Sequence, residues 1–340
     1  MCRLAVANSP EGIQYVAALD AAGRSEFLSL ADSNHVVLRS LQPVAGSDSS
    51  AANWAADACD AERARIHSAV SRLAEICDRL EHEGCPVVVI KTLEHWPDLG
   101  NDLDLYTTAP EPRVVCVMRR CFEAHVEPRS WGDRLAQKWN FTIPGLRESI
   151  EIHIQRLGQM GEHTRLARRF HDRRQIRNIG GFDFNVPAPE QAVIVATLQR
   201  MYRHFYLRVC DVVNTARLVD SGALDFALLH RSANEGGIWP GVATYLKVVS
   251  DYIALYRGRG LELPPEVLSE ALFGGEKIEV KDRFLRVPVV PEGATLFTRQ
   301  ALATALAGDV PATFRLTLLP PLASAAAIAY KFTGSDKGIW

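Results

Sequence analysis

Asp102-Leu103-Asp104 lies in a segment, Asp102 to Tyr106, whose polar and apolar residues alternate. In a strand, residues i and i+2 share one face about 6–7 Å apart, so both carboxylates point one way and Leu103 and Leu105 the other. Further along, Ile150, Ile152 and Ile154 share one face of a second alternating segment, and Glu151 and His153 share the opposite face. Paired carboxylates can bridge hard divalent cations, which take oxygen ligands. A third carboxylate from a neighbouring strand completes a two-metal site of the kind that clamps a triphosphate in in-line phosphoryl or nucleotidyl transfer. Asp102, Asp104 and Glu151 are therefore the candidate metal ligands and catalytic carboxylates. The plain alternative for an Asp-x-Asp pair is two solvated acids on an edge strand; the alternation and the third acid argue for the site.

Other polar clusters carry competing readings. Arg165, Arg168, Arg169, Arg173, Arg174 and Arg177 form a basic segment. It reads better as a solvated amphipathic helix with Leu166, Phe170 and Ile176 inward than as a phosphate-steering face. His204, Arg208, Asp211 and Asn214 recur at helical spacing, hence along one helix face. An internal Arg208–Asp211 pair is the structural reading there, and phosphate contact the functional one. Trp96 reads as a loop anchor rather than a base-stacking group, and Glu94 and Asp98 must point away from any triphosphate. Cys210 has no base at readable spacing. No G-x-S-x-G, H-E-x-x-H, phosphate-binding P-loop or G-x-G-x-x-G is present, so hydrolase, zinc-protease, P-loop kinase and dinucleotide redox readings have no anchor.

The elements around the acids follow from periodicity. Ile66, Val70, Leu73, Ile76, Cys77 and Leu80 predict an amphipathic helix over 61–83, ended by Gly84 and Pro86. Val87–Ile90 has the character of a buried strand. After a loop over 92–101 come the Asp102 strand and a helix over 111–124. Strands follow at Trp139–Ile143 and Ser149–Ile154, joined through Pro144-Gly145. From Pro187 to about Val219 the pattern is continuously helical, and short strands are expected at Lys277–Val280 and Phe284–Val290. The fold class is α+β: a small mixed sheet flanked by helices, then a mostly helical C-terminal half.

In order and spacing these segments resemble the uncharacterised nucleotidyltransferases related to the DNA polymerase beta superfold. The resemblance runs over about residues 20–260. It comprises the helix Ala61–Glu83, then Gly84-Cys85-Pro86-Val87-Val88-Val89-Ile90-Lys91, then Asp102-Leu103-Asp104. Ile150-Glu151-Ile152-His153 follows, and then a helix with His204, Arg208 and Asp211. The resemblance implies that Asp102, Asp104 and Glu151 hold Mg²⁺ with an NTP. It places Lys91 and Thr92 by the triphosphate, His153 beside Glu151 to contact the nucleotide or orient that acid, and His204 and Arg208 within reach of phosphate. Three departures stand out: Thr92 where the family has glycine, no Gly-Ser phosphate loop, and Glu151 where aspartate is usual. They motivate an alternative, a catalytically impaired nucleotide-binding or protein-interaction module of regulatory or antitoxin-like type on the same fold.

The chain has 340 residues and a formal net charge of −2. That balance argues against a long nucleic-acid partner held by a global basic field. It leaves a small-molecule, peptide or protein acceptor as the expected co-substrate of the NTP. With apolar residues at 47% there is ample material for a core. The segments divide as 1–60, helix and loop; 61–185, the nucleotidyltransferase-like core; 186–260, helices packing on it; and 261–340, an extension. The N-terminus lacks a signal-peptide pattern, and no apolar run approaches the ~18–20 residues of a membrane span. Seven cysteines without a CxxC read as reduced and mostly buried thiols, against structural zinc and for a cytoplasmic protein. Lys331–Trp340 reads as a polar tail.

Overall fold

The structure, a computed structural model, describes residues 1–333. Helices α1 (Cys2–Ala7), α2 (Pro10–Ala17), α3 (Ala21–Ser33) and α4 (Val37–Ala45) precede the long α5 (Ala52–His82). The expected 61–83 helix thus starts earlier, because the alanine-rich stretch before it is strong helix former. The boundary drawn between residues 60 and 61 falls inside it. Its inner stripe, Ile66, Val70, Leu73, Ile76 and Leu80, is buried. Gly84 ends it at φ +70, where a Cβ would also meet the Arg113 guanidinium at 2.9 Å.

β1 (Val87–Val89), β2 (Asp102–Thr107), α6 (Glu111–Phe122), β3 (His125–Val126), α7 (Trp131–Leu135), β4 (Lys138–Thr142) and β5 (Ser149–Ile154) follow. The sheet order is β1-β2-β5-β4-β3. Only β2 and β5 run parallel, in the register Asp104↔Glu151 and Tyr106↔His153. Leu103, Leu105, Ile150 and Ile152 turn to the main core with the stripes of α5 and α6. The other face is covered at one end only. There Tyr106, Val88 and Ile90 pack with Ala167, Phe170 and Val195. The end carrying Asp102, Asp104 and Glu151 stays open as a cleft.

The covering helix is α8 (Thr164–Asp172), followed by the hairpin β6 (Gln175–Ile179) and β7 (Phe182–Val186). Leu166 and Phe170 are buried, each stabilising by roughly 1.5–3 kcal/mol. Ile176, expected inward on a helix, is instead on β6 and 74% exposed.

The expected continuous helix after Pro187 is broken. α9 (Pro189–Thr197) widens into a π-turn over Leu198–Arg203, β8 (Tyr206–Leu207) intervenes, and α10 (Val209–Asp220) restarts the helix. The cause is tertiary: β8 pairs with a strand from the far end of the chain, and Phe205 adopts φ +52 to enter it. α11 (Phe226–Glu235) and the almost wholly buried α12 (Trp239–Arg257) complete the helical half, with α13 (Pro265–Glu270) beside it. The short strands fall at β9 (Glu279–Lys281), later and shorter than expected, and β10 (Phe284–Arg286), which starts where expected and ends sooner, in a sheet of order β8-β10-β9. α14 (Ala294–Leu306), α15 (Val310–Thr317) and α16 (Leu319–Thr333) close the described chain. The expected tail begins with helix at Lys331–Thr333, and the rest of it lies outside the described residues. Among the described residues no helix is long and apolar enough to cross a membrane. The cysteines are free; Cys59, Cys77, Cys85 and Cys210 are buried and Cys116 is exposed.

Candidate active site

The open end of the sheet forms a cleft of about 240 Å³. Asp102, Asp104, Glu151 and Lys138 line it from the sheet, and Gln199, Arg200, Arg203, His204 and Arg208 from the segment between α9 and α10. Lys91, Thr92, His35 and His95 also border it.

Two braces fix the acid-bearing strands. Arg65 of α5 pairs with Glu62 and with Glu148, the residue before β5, and donates to the Leu99 carbonyl ahead of β2 at 3.2 Å. Gly100 permits a close approach there, since a Cβ would stand 3.0 Å from the His35 ring. The second brace is Thr92. Its hydroxyl accepts from the Asp104 N–H at 2.7 Å and donates to the Asp102 carbonyl at 3.2 Å.

Lys91 occupies a tight turn: Thr92 N–H donates to the Ile90 carbonyl at 2.6 Å, and Lys91 sits at φ +60, ψ −62. This is a γ-turn of the rarer, strained hand. It turns the ammonium onto the carboxylates. Lys91 Nζ pairs with Asp104, lies 3.1 Å from Glu151 Oε1 and 3.5 Å from His153 Nε2. Glu151 is held from every side: His153 Nε2 at 2.7 Å on Oε1, and Lys138 Nζ at 3.0 Å on Oε2. Lys138 also pairs with Asp133 at 2.9 Å.

These contacts split the two neighbouring acids. Burial pushes Asp104 up, to about 8, the Lys91 charge opposing it only in part. Burial would raise Glu151 too, but two ammoniums and His153 outweigh it and hold its carboxyl well below the usual range. Glu151 has the second lysine that Asp104 lacks, so Asp104 takes the first proton. His153 is pushed down to about 4, by burial first and then by Lys91, and is neutral near pH 7. Burial and the surrounding cations hold His204 well below the ordinary imidazole value.

Asp104, Glu151 and His153 offer ligand atoms within 4.8 Å of one another. Asp102 stands at the exposed rim of the same cleft. The donor chemistry, carboxylate oxygens from adjacent strands, fits a hard divalent cation.

His204 and Arg208 do not share a helix face with Asp211 and Asn214. His204 caps the π-turn and Arg208 caps α10, with β8 between them. The expected Arg208–Asp211 pair is replaced. Asp211 accepts the Arg208 backbone N–H at 2.7 Å and pairs with the buried Arg200 at 2.7 Å. This frees the Arg208 guanidinium to lie against the stacked rings of Tyr206 and Phe284, 5.6 and 5.9 Å from their centres. Among the described residues neither Arg203 nor Arg208 has a carboxylate partner for its side chain.

Glu94 and Asp98 do point away: Glu94 lies 3.5 Å from Arg177, and Asp98 accepts the Leu38 N–H at 2.6 Å and faces Arg39. Trp96 is 37% exposed, its carbonyl accepting from Arg39 and Arg217.

Sequence reasoning missed Lys138, Arg200, Arg203 and Gln199. Lys138 carried a signal, being one of only seven lysines and standing at the start of a strand that pairs with β5. The arginines carried none, since their placement depends on the break after α9. A second buried group, His35, His95 and Cys210, also has ligand atoms within 4.8 Å. There Asn214 Nδ2 donates to His95 Nδ1, and Arg39 occupies Asn214 Oδ1 at 2.9 Å. The proton of His95 is thereby placed on Nε2, which disfavours a metal bond from that ring.

Compared with known protein families, curated proteins and solved structures, the chain matches none.

Proposed function

We propose that the chain is a cytosolic, Mg²⁺-dependent nucleotidyltransferase of the polymerase-beta type. It moves an NMP from an NTP to a hydroxyl or other nucleophile on a small-molecule, peptide or protein acceptor. The observation that carries this reading is the parallel β2–β5 register. It sets Asp104 beside Glu151, with Asp102 at the rim, in one cleft with Arg203 and Arg208, whose guanidiniums have no carboxylate partner among the described residues. A cleft that brings strand carboxylates together with arginines lacking a carboxylate partner among the described residues suits a polyphosphate with its counter-cation.

Asp102, Asp104 and Glu151 would hold Mg²⁺, which supplies charge at the attacking and leaving oxygens. Arg203, Arg208 and Lys91 would bind phosphate oxygens and fix the α-phosphorus for in-line attack, so that catalysis is mainly positioning. Thr92 sets the positions of Asp102 and Asp104 rather than touching phosphate. His204, neutral, can donate one hydrogen bond to phosphate without adding charge.

The alternative, a nucleotide-binding or interaction module without chemistry, draws on one observation: both oxygens of Glu151 are already engaged by lysines and His153. An NTP labelled at the α-phosphate, incubated with the protein, Mg²⁺ and lysate fractions, separates the two. Label transfer should fall roughly a hundredfold or more in Asp102→Ala and Asp104→Ala. Equal transfer by wild type and variants removes the transferase reading, and Mg·ATP binding in calorimetry without any transfer favours the alternative.

A further inference from the structure

The group that converges within 4.8 Å is not three carboxylates but Asp104, Glu151 and His153. A single first-row cation, with bonds of about 2.0–2.2 Å, closes that span with small side-chain shifts. A cation already lies there: the Lys91 ammonium contacts Asp104 and Glu151 and stands 3.5 Å from His153 Nε2. The protein spends backbone strain at Lys91 to put it there. His153 is 5% exposed, and its Nδ1 is buried without a partner among the described residues. That nitrogen can carry the ring proton when Nε2 becomes a ligand, and His153 borders the small cavity lined by Leu157, Gly158 and Val195.

We propose that Asp104, Glu151 and His153 form a site for one first-row transition cation of Mn²⁺ type, and that Lys91 is its resident counterion, displaced when the cation enters. The inference rests on reading the cleft as a cation site, though not on nucleotidyl transfer. Two carboxylates alone would favour Mg²⁺, which prefers oxygen and keeps its waters. An imidazole in the set moves the preference toward ions that accept nitrogen as well. The exchange brings in two positive charges and releases one, and the released ammonium is then available to anionic oxygens of a bound ligand.

Binding of Mn²⁺ to the full chain without nucleotide is read from the loss of the free-ion electron paramagnetic resonance signal, with Mg²⁺ as competitor. Mn²⁺ should bind at least tenfold tighter than Mg²⁺. His153→Ala should weaken Mn²⁺ at least tenfold and leave Mg²⁺ within threefold. Lys91→Gly, which relieves the turn, and Lys91→Met, which keeps the bulk, should each tighten Mn²⁺ at least tenfold. Circular dichroism melting verifies that each variant is folded. Unchanged Mn²⁺ affinity in His153→Ala overturns the ligand set, and unchanged affinity in both folded Lys91 variants overturns the counterion. No Mn²⁺ binding by wild type or by either folded Lys91 variant overturns the site as a whole. Label transfer is scored separately, so a cation site that behaves as described without any transfer would sink the transferase reading alone.

Discussion

Thr92 carries a hydroxyl where the resembling family has glycine, and that hydroxyl serves β2 rather than a ligand. It accepts the backbone N–H of Asp104, which is 7% exposed, and donates to the carbonyl of Asp102. Backbone strain falls one position earlier, on Lys91, where the γ-turn aims the ammonium at the acids. Thr92→Val keeps the shape and removes the hydroxyl, leaving a buried N–H without an acceptor. Such a loss costs about 1–3 kcal/mol. Urea denaturation should show that decrease for Thr92→Val and a smaller one for Thr92→Ser, which retains the hydroxyl. Equal stabilities of Thr92→Val and wild type would mean that the clasp contributes nothing. At this scale the sequence was informative: the period-two alternation around Asp102 and Glu151 placed both acids on the open face. The partners of those acids were less legible, because Lys138 reaches Glu151 only through the β4–β5 pairing.

Between α9 and α10 the pattern of apolar residues is helical throughout, yet the chain makes a π-turn, a left-handed residue and a strand. Local propensity could not reveal this, since the pairing that stabilises β8 comes from β10, beyond the whole helical half. The same distance hid Arg200. It is 1% exposed, and its buried guanidinium is compensated by Asp211, which also caps α10. Ile176 failed for a related reason, because a helical stripe extrapolated past Asp172 runs into a hairpin. The Arg200–Asp211 pair is thus the joint between the π-turn and α10, and it fixes the segment that carries Arg203 and Arg208. Removing one partner of a buried pair leaves an uncompensated charge, at a cost of about 3–5 kcal/mol. Asp211→Ala should therefore destabilise by that much in chemical denaturation. The double variant Asp211→Ala/Arg200→Met should recover a good part of the loss. Strict additivity of the two single changes would show that the residues do not act as a pair.

For the molecule as a whole, the N-terminal helices, the sheet domain and α10 meet at two buried imidazoles. His35 follows α3, His95 ends the turn after Lys91, and their rings lie 5.2 Å apart edge to face. His35 is 6% exposed with both ring nitrogens unpartnered among the described residues, and His95 is 8% exposed. Burial pushes His95 down to about 3, with Asp211 opposing in part. Burial also holds His35 well below its ordinary value, and the neighbouring His95, Arg208, Arg200 and Arg65 add to the effect. The sign follows directly: between the unfolded value near 6.5 and the folded one, the unfolded chain binds protons that the folded chain refuses. Stability is therefore complete above about pH 6.5 and is lost as pH falls toward about 3. From pH 6.5 to 5, His95 contributes a loss of about 2 kcal/mol, and His35 acts in the same direction. His153 and His204 act in the same direction, so the wild-type curve is steep. His95→Gln retains an acceptor for Asn214 but cannot titrate. Urea unfolding at pH 7 and pH 5 should show the wild type losing about 2 kcal/mol more than His95→Gln between the two conditions, whatever their absolute stabilities. Parallel losses would mean that the His95 ring can take up a proton within the folded junction. In that case the three parts of the chain are not held together around a neutral pair.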